Sequence, residues 1–139
     1  MPYISISTSE KVEDKKKLLE EITTLISSLT NKSKRFVMAK IEDKKKLLEE
    51  ISILVSSLTN KSKRFVMAKL DDNSEMYFDD ESPCCFLEIK SIGSLNPSEM
   101  AKPINDFVYE KMKIPLNKIY ISFEDAPASM WAWNGRTFG

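Results

Sequence analysis

The chain has 139 residues, 42% hydrophobic and 30% charged, with 21 basic against 21 acidic residues, the composition of one ordinary globular domain. It contains no histidine, which excludes Ser-His-Asp and Cys-His hydrolase schemes, His-ligated metals and His-based proton transfer. No apolar run approaches the roughly eighteen residues of a membrane span, so no membrane partner is expected.

Residues 2–8 alternate through Tyr3, Ile4, Ser5, Ile6 and Ser7 and read as a first strand. No basic stretch and long apolar segment precede it, so no secretory signal is visible. The expected location is the cytosol, or outside the cell by a route that needs no signal peptide.

A tandem repeat follows. Residues 13–40 and 42–69 are offset by 29 and differ only at Thr23/Ser52, Thr24/Ile53 and Ile26/Val55. Two copies are too few for a solenoid, and neither flank continues the period, so the repeat reads as a duplication, natural or engineered, inside one domain spanning 1–139. Each copy is a helix followed by a strand. In the first, Leu18, Leu19, Ile22, Leu25, Ile26 and Leu29 form one apolar stripe. In the second, Leu47, Leu48, Ile51, Leu54, Val55 and Leu58 repeat it, and Ile53 widens it. A Thr-Asn-Lys-Ser break ends each helix, and the second strand is expected from residue 64 to about 70.

One fold has room for a single copy beside the first strand. Either copy could dock with the other set aside, or both could extend the sheet. Our expectation is that both helices form and that one copy loops out, with Ile53 favouring burial of the second. The charges fit a duplication as well. Each copy carries seven basic and four acidic residues, and the remainder seven basic and thirteen acidic, so neutrality is a by-product of having two copies. The lysines alternate with glutamates at i,i+4 spacing, a solvated helix face, and nucleic acid is not an expected partner.

Beyond the repeat, residues 71–83 are acidic and loop-like, and 84–92 form a convincing buried strand ending at Gly93. Cys84 and Cys85, the only cysteines, are adjacent and point to opposite faces of that strand, so they are expected to be one buried and one half-buried thiol rather than a disulfide or a metal site. No cofactor is implied. Asn96-Pro97-Ser98-Glu99 opens a helix carrying Met100, Ile104, Phe107, Val108 and Met112, in which Pro103 calls for a late start or a kink. Residues 118–123 are a further strand, before a tail with Met130, Trp131, Trp133 and Phe138.

With one copy set aside the order is β-α-β twice. This is an α+β fold with a mixed four-stranded sheet covered by helices on one face. The other face needs cover, and self-association is the simplest source.

Several motifs occur in a telling order: Met1-Pro2, Asn-Lys after the helix, Ser82-Pro83-Cys84, Lys90-Ser91-Ile92-Gly93, the segment Lys118-Ile119-Tyr120-Ile121-Ser122-Phe123, and the ending Trp133-Asn134-Gly135-Arg136-Thr137-Phe138-Gly139. Together they resemble the macrophage migration inhibitory factor and D-dopachrome tautomerase family over essentially the whole length, one repeat aside. The resemblance implies a homotrimer with a central barrel and an active site at each subunit interface. It implies keto–enol tautomerisation of phenylpyruvate-like α-keto acids, with Met1 removed and the amine of Pro2 as base. Carried over, Lys32 or Lys61 would be the substrate lysine, Ile92 would offer a backbone N–H, Tyr120 would reach the ring across the interface, and Trp131, Trp133 and Phe138 would border the pocket. Ser122 stands where the family commonly has asparagine, which bears on substrate preference. Leu87 replaces the second cysteine of a Cys-x-x-Cys, so thiol–disulfide chemistry is not expected. Two other readings stand beside the enzyme: a non-enzymatic binding trimer, and a duplication product with impaired activity.

Overall fold

A computed structural model describes residues 2–12 and 43–139. The first copy of the repeat, with Lys32, lies outside the described residues.

Four strands form one sheet: β1 (Tyr3–Thr8), β2 (Met67–Asp71), β3 (Cys85–Ser91) and β4 (Ile119–Asp125), in the spatial order β2-β1-β3-β4. β1 runs parallel to β2, β3 runs parallel to β4, and the central β1–β3 pair is antiparallel. The sheet is therefore mixed, as the two β-α-β units require. Ile4, Ile6, Cys85, Leu87, Ile89 and Ile119 turn to one face, where they form a single core with Ile51 and Val55 of helix α1 (Asp43–Thr59) and Met100, Ile104 and Val108 of helix α2 (Pro97–Met112). Strand alternation sends Tyr3, Ser5, Ser7, Phe86, Glu88, Lys90, Tyr120, Ser122 and Glu124 to the other face.

The second copy of the repeat is the one seen beside β1. Its Ile51 and Val55 are fully enclosed and Leu47 nearly so, whereas Ile53 is 51% exposed. The expectation that Ile53 would favour burial is thus corrected. Ile53 lies two residues from Ile51 and Val55, about 200° around a helix of 3.6 residues per turn, which places it opposite the buried stripe. Ser52 and Thr59, facing the packed side, return their hydroxyls to the carbonyls of Leu48 and Val55 at 2.7 Å each, so their burial leaves no unpaired group.

α1 ends where Asn60 adopts a positive φ of 55° and the amide of Lys61 donates back to the carbonyl of Ser56 at 3.2 Å, a left-handed cap that asparagine tolerates. A 3-10 turn, Lys63–Phe65, then precedes β2. The strand begins at Met67 and not at Arg64, because the amides of Phe65 and Val66 close the turn on Ser62 and Lys63 and cannot join the ladder. α2 places Pro97 at its N-terminus, where a missing N–H costs nothing. It also runs through Pro103 without a late start. Both cysteines are buried, each 2% exposed, because Cys84 tucks beneath β1 through Ser9 and Thr8 while Cys85 enters the core.

Candidate functional site

One large cleft, about 1030 Å³, opens at the end of the sheet where β1 begins and β4 ends. Its floor holds Pro2, Tyr3, Lys90 and Glu124; one wall is the run Arg64, Phe65, Val66 and Met67, and the other runs from Ala126 and Pro127 to Met130, Trp131, Ala132 and Trp133.

Each part has a local cause. Pro2 is buried, and its carbonyl accepts the amide of Met67 at 3.2 Å, one step before the β1–β2 ladder. Lys90 and Glu124 face each other across β3 and β4 and pair at 3.4 Å. The far wall is carried by a small hairpin, β5 (Ala132–Trp133) and β6 (Arg136–Thr137). Asn134 and Gly135 turn it with positive φ of 52° and 79°, the pairing that a two-residue hairpin turn requires. The hairpin brings Trp133 edge-on to Phe65, ring centroids 6.0 Å apart at 85°, so the two walls meet through aromatic rings.

Among the residues expected at a site, Pro2, Trp131 and Trp133 come together in this cleft. Lys61 and Ile92 are neighbours, the Lys61 Nζ donating to the Ile92 carbonyl at 3.2 Å, but neither is among the residues that form its walls. Phe138 faces a separate hollow with Trp133, Asn134, Arg136 and Thr137. Tyr120 and Ser122 are exposed on the open face of the sheet. Tyr120 lies four residues before Glu124 on β4, about 13 Å along an extended strand, so within one chain it is remote from the cleft. Its ring stacks instead on Phe78, at 4.6 Å and 20°.

That stack belongs to a second organised region. Lys118, 9% exposed, donates to the Phe78 carbonyl at 2.8 Å and to the Asp80 carboxylate at 2.9 Å. The hydroxyl of Ser82, then Lys118 and the Ser82 amide, hold the Asp80 carboxyl well below the ordinary carboxylate range. Desolvation, reinforced by the neighbouring Cys84, pushes the Cys85 thiol up to about 12, so it is an inert core thiol. Among the described residues no group of three or more His, Cys, Asp and Glu is placed to hold a metal, and no helix is long and apolar enough to cross a membrane.

Sequence reasoning missed Arg64, Phe65, Met67, Lys90 and Glu124 as cleft residues. The signal for one of them lay in the alternation: Lys90 shares a face with Glu88 on a strand whose other face is apolar. The Arg64 wall depends on where β2 starts, which no local pattern marks.

Comparison with known proteins agrees with the fold. The sequence profile of the macrophage migration inhibitory factor (MIF) family matches residues 42–139, beginning where the second repeat begins. A macrophage migration inhibitory factor homolog of Brugia malayi is 40% identical over 62 residues, 42% of this chain and 54% of that protein. The macrophage migration inhibitory factor of Xenopus tropicalis is 33% identical over 63 residues, 43% of this chain and 55% of that protein. The matched stretch thus spans about half the length of these curated relatives. The crystal structure of a homologue from Prochlorococcus marinus superposes with a TM-score of 0.74 at 28% identity, covering 99% of each chain. That of the Trichinella spiralis protein gives 0.70 at 22% identity, covering 98% of this chain and 99% of that one, a likeness of fold.

Proposed function

The chain belongs to the macrophage migration inhibitory factor family, and we propose that within it this protein is a keto–enol tautomerase of phenylpyruvate-like α-keto acids, with Pro2 as its base. Family membership supports a tautomerase-superfamily or cytokine-like function. The observation that favours the enzyme is Pro2 itself, buried at the floor of an aromatic-walled cleft with its carbonyl held by Met67.

Enolisation needs a base that is neutral at working pH and close to the carbon bearing the proton. With Met1 removed, the Pro2 nitrogen is a secondary amine on a rigid ring. An α-amino group ordinarily titrates near 7.7–8.0, and burial disfavours its protonated form. The amine takes the proton alpha to the ketone while the electron pair of the breaking C–H bond moves to the carbonyl oxygen. The prolinium then returns a proton to that oxygen, which gives the enol and restores the free amine. Phe65, Trp131 and Trp133 accept the aryl ring and exclude water. Lys61, whose Nζ donates to the Ile92 carbonyl, is the lysine assigned here to the substrate carboxylate.

The open face of the sheet and the exposure of Tyr120 and Ser122 support a homotrimer in which these residues serve another copy's cleft. The test is Pro2→Gly, assayed for phenylpyruvate tautomerisation and weighed in solution. Loss of turnover at an unchanged mass of about three chains supports the reading. Undiminished turnover sinks it.

A further inference from the structure

We infer that Arg64 selects substrates carrying a second acidic group on the aryl end, so that the cleft favours aromatic keto acids with a ring carboxylate. The inference rests on the tautomerase reading and names its substrate class.

An exposed arginine is by default a solvated charge. Three observations set this one apart. First, the other cation of the cleft is neutralised, since Lys90 pairs with Glu124 at 3.4 Å, whereas no carboxylate among the described residues pairs with Arg64. Its neighbour Lys63 is likewise engaged, with Glu49 at 3.2 Å. Second, Arg64 is held in place: its guanidinium carbon lies 5.2 Å from the centroid of the Phe65 ring, a cation–π contact that orients the group. Third, the order along the wall fixes its position. The Met67 amide meets the buried Pro2, Phe65 meets Trp133, and Arg64 is the next residue along the wall, exposed to solvent. A ligand with its reacting carbon at Pro2 and its ring against Phe65 and Trp133 ends beside the guanidinium. The planar fork of arginine matches a carboxylate there better than an ammonium does.

The chain's two tryptophans, Trp131 and Trp133, both line the cleft, so their fluorescence reports binding independently of turnover. Para-carboxyphenylpyruvate and phenylpyruvate are titrated against the full chain and against Arg64→Met and Arg64→Lys. The ratio of the two dissociation constants should move against the para-carboxy ligand by about fivefold in Arg64→Met, the scale of one exposed ion pair. Arg64→Lys should fall between, and added salt should shrink the wild-type ratio. The same ratio in all three proteins, or no fluorescence response to either ligand, overturns the inference. Turnover separates the two readings. Binding with an Arg64-dependent ratio but no conversion of either ligand rejects the tautomerase and keeps the selectivity, and conversion with an Arg64-independent ratio does the reverse.

Discussion

The amide of Met67 donates to the carbonyl of Pro2 at 3.2 Å, and through that bond the duplicated segment holds the residue on which the proposed chemistry depends. The bond continues the parallel ladder that begins with Tyr3 opposite Met67. It fixes the proline's carbonyl beside the cleft that Pro2 helps to line. Met67 comes from the second repeat, so the same few residues that complete the sheet also set the base.

Replacing that donor tests the relationship. Met67→Pro removes the N–H, and Val66 before it already has an extended backbone compatible with a following proline. Turnover of phenylpyruvate should fall by about ten- to a hundredfold, the usual cost of a misplaced catalytic group. Met67→Ala keeps the N–H and should lose far less. Steady-state kinetics on both variants, with circular dichroism to confirm the sheet, decide the point.

Placement of the second copy in the core makes a sharper prediction. Ile51→Ala empties a fully enclosed position between α1 and the sheet and should cost about 2–5 kcal/mol. Ile53→Ala, two residues away and half in solvent, should stay within about 0.5 kcal/mol. Denaturant unfolding at one fixed protein concentration separates them.

This pair also shows what the sequence could convey. The apolar stripe marked Leu47, Ile51 and Val55 correctly because a helix repeats every 3.6 residues and the core lies on one side. Ile53 was misjudged because apolar character alone does not place a residue on that side; only the angular position does. Likewise β3 was legible as a buried strand, and the mixed sheet followed from two β-α-β units. The start of β2 was not, since Arg64 and Phe65 have strand-compatible side chains and only the hydrogen bonds of the 3-10 turn exclude them. Pro2 and the two tryptophans were readable as candidates through resemblance. The cleft's other wall was not, since it is made by a tertiary contact between a turn and a hairpin far apart in sequence.

The clasp at Asp80 predicts an acid limb in stability. Its folded carboxyl is held below the ordinary 3.8 by Ser82 and Lys118, so the unfolded chain binds the proton more readily. The stabilisation is therefore present above the ordinary carboxylate range and is lost as pH falls through the lower folded value. Thermal unfolding followed downward from about pH 5 should decline more steeply in the wild type than in Asp80→Asn, where no carboxylate remains to titrate. High salt should narrow the gap, because Asp80 is solvent-exposed. Parallel acid limbs in the two proteins would contradict the assignment.

The most direct test of the central claim reads chemistry and covalent state on the same sample: intact mass of the purified chain beside its phenylpyruvate tautomerisation rate. A proline followed on its amino side by a peptide bond has no basic lone pair, so the account predicts turnover only in molecules whose mass lacks Met1. Full turnover in a preparation that retains Met1 throughout would contradict it and would move the base to another group in the cleft.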